Sequence, residues 1–103
     1  MDNGPVTHVV VLATRPESHD QVLSHMSEAT AQLAESIPAL RCVEVYASDD
    51  RRNIAIVSEW DSRAAWAHAQ WENAMQDATV RAHSEAEWVH GRLYRRVAVH
   101  ERA

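Results

Sequence analysis

The stretch of sequence that decides the fold is residues 41–60, which read RCVEVYASDDRRNIAIVSEW. Polar and apolar side chains alternate from Arg41 to Ser48, and this period of two predicts a strand. Residues 49–53 are a polar run of hairpin length, and the apolar run from Ile54 to Trp60 predicts a second strand. The alternation in the first strand places Cys42, Glu44 and Tyr46 on one face, and Val43, Val45 and Ala47 on the other. The centre of the chain is therefore predicted to be a β-hairpin.

On the N-terminal side of this hairpin, the sequence predicts a strand followed by a long helix. Residues 7–14, THVVVLAT, are rich in β-branched side chains, as in a strand buried on both faces. Ser18 followed by Gln21 is the pattern of a capping box, so we expect a helix to begin there. Apolar residues recur at helical spacing up to Ile37, and Pro38 ends the helix.

On the C-terminal side, Asp61 and Ser62 precede an Ala-rich helical region that extends from about Arg63 to Val89. On one straight helix, Trp66 and Trp71 would point about 140° apart. We therefore expect the helix to break near Gln70.

Gly91 is predicted to end this helical region, and residues 92–100 to form a last strand. The resulting order is β-α-β-β-α-β, the split arrangement of a ferredoxin-like α+β domain with an antiparallel four-stranded sheet. A chain of 103 residues has the length of one domain, and residues 1–6 are expected to be flexible.

Both faces of the predicted strands are apolar. The residues concerned are Val9, Val10, Val11, Leu12, Ile54, Ala55, Ile56 and Val57. Helices cover only one face of such a sheet, and an apolar patch of this size on the other face indicates an association site. Pairing of two sheets across a two-fold axis would bury it, so we predict a homodimer.

The composition excludes several classes of partner and location. The net charge of −5 argues against nucleic acid and against an anionic membrane surface. Neither a signal peptide nor an apolar run long enough to span a bilayer is present, so we expect a cytoplasmic protein. The one cysteine, Cys42, lies in an alternating run and is interpreted as a buried, inert thiol.

Three segments carry a family resemblance: residues 38–46 (PALRCVEVY), residues 49–50 (DD) and residues 59–68 (EWDSRAAWAH). With the order of elements, they resemble the antibiotic biosynthesis monooxygenase family of dimeric α+β-barrel proteins. The resemblance implies a pocket in each protomer between the sheet and its helices. It also implies oxidation of a substrate to a quinone without flavin, haem or metal. Trp66 and Ser62 are the positions that match the tryptophan and polar side chain linked to that activity.

The catalytic candidates are Trp66, Ser62 and His68. Trp66 could form a wall against a flat polycyclic ring, and Ser62, one helical turn away, could donate to a carbonyl oxygen. The alternative is that Trp66 belongs to the core and that Ser62 only caps the helix. His68 is the first candidate base because an unperturbed imidazole titrates near working pH. A helical histidine equally often bonds a neighbouring carbonyl or carboxylate.

The substrate-binding candidates are the side chains predicted to reach the same cavity. They are Tyr46, Glu44, Trp60, Trp71, Met75 and Arg96. An arginine on the last strand could stabilise an enolate, although an edge charge or an intersubunit ion pair explains it equally well. Tyr46 and Glu44 could instead satisfy each other at a dimer contact.

Metal and haem sites are disfavoured by the same sequence. His68 with Glu72, and His83 with Glu87, are spaced as pairs on a helix, but neither pair has a third ligand nearby. The haem degraders that resemble the family have an Asn in the first strand and a His about nine or ten residues after the helix Trp. Here the first strand has no Asn, and Met75 and Gln76 occupy the latter places.

The sequence therefore predicts a homodimeric, cofactor-independent monooxygenase, with molecular oxygen as co-substrate and an anthrone-like or naphthol-like polyketide substrate. The reaction rests on the resemblance alone. Two alternatives stay open on the same dimeric barrel: a non-catalytic protein that binds a small molecule, and a non-oxidative isomerase or cyclase.

Overall fold

Four strands and three helices make up residues 4–102, the part of the chain that the computed structural model describes. In chain order they are β1 (Val6–Ala13), α1 (His19–Ser36), β2 (Leu40–Ala47), β3 (Asn53–Trp60), α2 (Arg63–Ala69), α3 (Asn73–Glu85) and β4 (Trp88–Tyr94). The strands form one antiparallel sheet in the order β2-β3-β1-β4. The predicted ferredoxin-like α+β fold is confirmed.

The strand register divides the side chains of the sheet between two faces. Val10 of β1 lies opposite Ile56 of β3 and Gly91 of β4, and all three positions point toward the helices. We call this side the helix face and the other side the open face. The open-face residues are Thr7, Val9, Val11, Cys42, Glu44, Tyr46, Ala55, Val57, Glu59, Trp88, His90, Arg92 and Tyr94.

Two apolar clusters attach the helices to the helix face. One joins Leu12 and Ile54 of the sheet to Met26 of α1 and Ala82 of α3. The other, toward the opposite ends of β1 and β3, contains Val6, Leu33, Ile37, Leu40, Trp60, Ala69 and Met75. Because the sheet residues of both clusters lie on the helix face, the hydrophobic core occupies that side of the sheet.

The two predicted helix caps have different outcomes. The Ser62 Oγ accepts a hydrogen bond from the Ala65 backbone N–H at 3.0 Å, so the predicted cap of α2 is confirmed. The capping box at Ser18 and Gln21 is wrong. Ser18 has φ −108° and ψ −2°, outside the extended conformation that turns a capping oxygen toward the first turn, and its hydroxyl bonds the Arg15 carbonyl instead.

The predicted break near Gln70 is confirmed, since α2 ends at Ala69 and α3 begins at Asn73. The prediction that Gly91 ends the helical region is wrong: α3 ends at Glu85, and Gly91 lies inside β4 opposite Val10. The last strand also ends earlier than predicted, at Tyr94. Tyr94 pairs with Thr7, the second residue of β1, so the pairing of β4 ends close to the end of its partner strand.

Two further expectations concern exposure. Cys42 is exposed, because it lies on the open face of the edge strand β2, so the prediction of a buried thiol is wrong. The expected flexible segment lies partly outside the described residues. Val6, at its end, is buried and begins β1.

Across residues 4–102, every helix is too short or too polar to cross a membrane.

Candidate functional site

A cavity of about 240 Å³ lies between the helix face of the sheet and the three helices. Met26 and Leu33 of α1 and Met75 of α3 provide much of its apolar wall. Trp60 of β3 and Trp66 of α2 add two indole rings. A partly open, mainly apolar cavity with a few polar groups has the general character of a small-molecule site.

Trp60 belongs to the rigid floor of this cavity. Its side chain is 1% exposed, and its Nε1–H donates to the Ser58 Oγ at 2.9 Å. Ser58 is buried beside it on the same face of β3, because the two residues are two positions apart. This bond satisfies the indole N–H and brings a hydroxyl group to the cavity lining.

Trp66 is held on the opposite side of the cavity by the short helix α2. The Ser62 cap fixes the first turn of this helix, and the Gln70 side-chain amide donates to the Trp66 carbonyl at 2.9 Å. The Nε1–H of Trp66 is buried and has no hydrogen-bond acceptor among the described residues. An unpaired buried donor costs about 1–3 kcal/mol, so an acceptor oxygen on a ligand that reached it would stabilise the complex.

His8 of β1 packs directly against Trp66 in the wall of the cavity. The two ring centroids are 5.2 Å apart, with the rings tilted by 57°. Burial lowers the pKa of His8 below its ordinary value of 6.5. Desolvation disfavours the imidazolium, so the ring is neutral in neutral solution.

Gly91 of β4 leaves the space in which the His8 ring lies. A Cβ atom at Gly91 would stand 3.1 Å from the His8 Nε2 and 3.5 Å from a methyl group of Val10. The first distance is closer than most side-chain contacts, so even an alanine there would require the imidazole to shift by a few tenths of an ångström. A glycine inside a strand commonly marks such a close approach.

The cavity contains three of the predicted site residues. Trp60, Trp66 and Met75 line it, and Ser62 supports it indirectly by capping α2. His68 is exposed on α2, and Trp71 is 80% exposed in the turn before α3; neither lines the cavity.

The other three predicted residues are distant from the cavity. Tyr46 and Glu44 lie on the open face, and Tyr46 is 51% exposed. Arg96 is exposed in residues 95–102, which follow the end of β4. The alternation of β2 divides its residues correctly between two faces, but the assignment of Tyr46 and Glu44 to the cavity side does not agree with the structure.

Sequence reasoning missed most of the lining residues, among them His8, Ser58, Gln70 and Gly91. A signal for His8 was present, because His8, Val10 and Leu12 share one face of a strand in which every second residue is apolar. Gly91 was interpreted as a helix terminator, so it was not assigned to a strand.

Within residues 4–102, no three His, Cys, Asp or Glu side chains are grouped to hold a metal ion.

Comparisons with known proteins agree with the fold and identify a family. The family model for antibiotic biosynthesis monooxygenase matches residues 5–86, which is most of the chain. No curated protein sequence matches the chain.

Several solved structures share the fold. Rv0793 from Mycobacterium tuberculosis has a TM-score of 0.78 at 14% identity, over 95% of this chain and 100% of that one. A dimeric protein of unknown function with a ferredoxin-like fold, from Bacteroides fragilis, has a TM-score of 0.75 at 23% identity, over 91% and 98%. A structure described as an antibiotic biosynthesis monooxygenase has a TM-score of 0.76 at 15% identity, over 90% and 99%. At these identities the likeness concerns the fold alone.

Proposed function

Because the chain belongs to the antibiotic biosynthesis monooxygenase family, we propose that it is a cofactor-independent monooxygenase acting on a hydroxylated aromatic substrate. The observation that carries this proposal is the apolar cavity with the indole of Trp66 in its wall. A flat aromatic ring can pack against an indole, and the unpaired Nε1–H can donate to an oxygen atom on that ring.

The cavity volume favours a substrate of two fused rings. A dry cavity of roughly 150 Å³ holds one benzene ring, so scaling by ring atoms suggests roughly 250 Å³ for two fused rings and roughly 350 Å³ for three. The cavity volume of about 240 Å³ corresponds to two fused rings. Of the two substrate types in question, we therefore propose a naphthol-like ring system ahead of an anthrone.

The proposed reaction needs dioxygen and an electron-rich, ionisable substrate. The hydroxyl group loses its proton, and the aryloxide transfers an electron to dioxygen. Superoxide and the aryloxyl radical then combine to form a carbon–oxygen bond. One oxygen atom stays on the ring as the second carbonyl of a quinone, and the other leaves as water with the two hydrogens that the substrate loses. The protein excludes water and orients the ring, and the substrate supplies the electrons.

We propose a homodimer in which two open faces pack together. Val9, Val11, Ala55 and Val57 form an apolar centre on this face. Tyr46 and Trp88 flank it on the edge strands, and each is about half exposed. The Bacteroides fragilis protein of similar fold is described as dimeric, which supports a dimer but does not bear on which faces meet. In this dimer each protomer keeps its own cavity on the side away from the contact.

One observation favours a second candidate, a protein that binds a small molecule without converting it. Ser62 and His68, two of the three predicted catalytic side chains, do not line the cavity. A cavity of this kind could retain an aromatic ligand by burial alone.

Oxygen uptake with 1-naphthol and with anthrone, recorded with an oxygen electrode, separates the candidates. We expect uptake with 1-naphthol, and slower uptake with anthrone because of its third ring. Tight binding without any conversion would support the binding protein. Conversion without oxygen uptake would support an isomerase or cyclase.

Substitution of Trp66 by Phe tests the role of the indole. The variant keeps an aromatic wall but loses the N–H donor, so we expect kcat to fall about tenfold, the effect of one lost hydrogen bond. Trp71→Phe is the matched control, because Trp71 is 80% exposed and outside the cavity. Equal rates for Trp66→Phe and wild type would show that Trp66 only packs.

A further inference from the structure

Among the histidines of residues 4–102 that are buried or half-buried, His8 is the one without a hydrogen-bond partner. The buried His19 contacts the Thr14 hydroxyl at 2.9 Å, and His25 contacts the Glu85 carboxylate at 2.5 Å. The His8 ring packs against Trp66 and forms no hydrogen bond with any residue between 4 and 102. A half-buried imidazole in the wall of a cavity, with both nitrogens unpaired, has the capacity to bind a polar group of a ligand.

Among residues 4–102, the cavity lining around His8 contains no Asp, Glu, Lys or Arg side chain. The neighbours of this histidine across the sheet are Ser58 on β3 and Leu93 on β4. Trp66 of α2, and Gln70 directly after α2, line the same cavity. The other titratable side chain in the lining is His83 of α3, which is itself exposed to solvent. With no carboxylate beside it, the buried His8 ring has a lowered pKa and is neutral, the state in which a ring nitrogen can accept a proton.

Strand β4, which pairs with β1, has a glycine next to the His8 ring. A Cβ atom at Gly91 of β4 would approach the His8 Nε2 to 3.1 Å, so the glycine leaves this nitrogen room. Glycine weakens a strand, because it has no side chain to pack and loses more backbone freedom on folding. Its presence here leaves the imidazole in place against Trp66.

We propose that His8 is the base that removes the hydroxyl proton of the substrate, and that Gly91 is the positioning residue that leaves room for it. This inference rests on the proposed function. In the step, the substrate O–H bond breaks and an imidazole N–H bond forms. The electron pair of the broken bond stays on oxygen, which gives an aryloxide beside an imidazolium. Nothing is oxidised until the aryloxide meets dioxygen.

The probe for this step is 4-nitrophenol, a small phenol whose aryloxide is yellow, so that its ionisation can be read by absorbance without oxygen chemistry. Titrations of the bound probe under nitrogen compare wild type with His8→Gln, Gly91→Ala and the control His90→Gln. His90 lies on the open face of β4, away from the cavity. Circular dichroism of each variant establishes that it is folded.

In wild type, we expect the ionisation midpoint of bound 4-nitrophenol to lie about one pH unit below that of the free probe, because the aryloxide pairs with imidazolium. In His8→Gln the midpoint should rise above the free value, because an apolar cavity without a base disfavours the anion. Gly91→Ala should move the midpoint toward that of His8→Gln, and His90→Gln should leave it unchanged.

The proposal is overturned if His8→Gln and wild type give the same midpoint, or if wild type does not bind the probe. If Gly91→Ala and wild type give the same midpoint, the proposed positioning role of Gly91 is wrong, and the proposal for His8 is unaffected. These outcomes are independent of the oxygen electrode. Suppose that 1-naphthol causes no oxygen uptake, but the midpoint of bound 4-nitrophenol is lowered and this lowering depends on His8. The proposed monooxygenase activity would then be wrong, and the role of His8 as a proton acceptor would stand.

Discussion

The two tryptophans in the cavity wall, the buried Trp60 and the half-buried Trp66, have different hydrogen-bonding states. The Trp60 N–H is paired with Ser58, whereas the Trp66 N–H has no acceptor among the described residues. A paired donor contributes to the stability of the fold, and an unpaired one lowers it. We interpret Trp60 as part of the framework and Trp66 as the donor that meets a ligand.

This difference predicts a stability effect at Ser58. Ser58→Ala leaves the buried Trp60 N–H without its acceptor, so we expect the free energy of unfolding to fall by about 1–3 kcal/mol. Urea denaturation followed by tryptophan fluorescence measures the change. Ser24→Ala, at an exposed position of α1, is the matched control and should change stability by less than about 0.5 kcal/mol.

The lowered pKa of His8 predicts a pH dependence of stability. In the unfolded chain His8 gains its proton near pH 6.5, whereas in the folded protein it does so only at lower pH. Between these two values the unfolded chain binds more protons, so this contribution to stability is fully present above pH 6.5 and decreases as the pH falls through the folded pKa.

Paired urea titrations of wild type and His8→Gln at one protein concentration isolate this contribution. The free energy of unfolding of wild type, relative to the variant, should decrease as the pH is lowered from about 7.5 to 5. A difference that does not change over this range would contradict the burial of a neutral imidazole. His100→Gln is the control here, because His100 is exposed and lies outside both the sheet and the cavity.

At the scale of elements, the short helix α2 decides where Trp66 lies. It has only seven residues, and helices of this length are not stable alone, so the cap and the packing of one face must hold it. Ser62 provides the cap, and Ala69 packs into the core. Because α2 ends at Ala69 and α3 begins at Asn73, the two helices need not share one axis.

A comparison of two serines tests the cap. Ser62→Ala should lower the free energy of unfolding by about 1 kcal/mol, the usual value of a helix cap. Ser18→Ala is the matched control: Ser18 occupies the equivalent position before α1 but makes no cap bond, so the loss should be smaller. Equal losses measured by urea denaturation would contradict the assignment of Ser62 as the cap.

At the scale of the whole molecule, the sheet separates two functions between its faces. The helix face encloses the cavity, and the open face presents an apolar centre that no helix covers. In the proposed dimer, the contact between open faces would hold both sheets flat against each other while each cavity stays on the outside. The site and the interface then share strands β1 and β3 but no side chain.

A charge at the centre of the open face tests the dimer. We expect Val11→Asp to dissociate it, because pairing would bury an uncompensated carboxylate. Sedimentation velocity at micromolar concentration measures the change from two subunits to one. Val80→Asp places the same charge at an exposed position of α3 and should leave the dimer intact. A wild type that sediments as a single subunit would contradict the proposal itself.

The sequence by itself determined the order of the elements, the hairpin at its centre, the break near Gln70 and the residues that share a face of each strand. These features follow from local periodicity and local turn chemistry, which depend on residues close together in the chain. Boundaries were less well determined, as Ser18 and Gly91 show, because the same residue types serve in caps, turns and strands.

Only the tertiary structure decided which face of each strand meets the helices. Alternation separates Tyr46 from Val45, but it does not say which of them points toward the cavity; the strand order β2-β3-β1-β4 and the packing of α1 against β2 decide that. The same reason explains the site. His8, Trp66 and Gly91 are far apart in sequence and meet because β1 lies beside β4 under α2, a proximity that no local pattern contains.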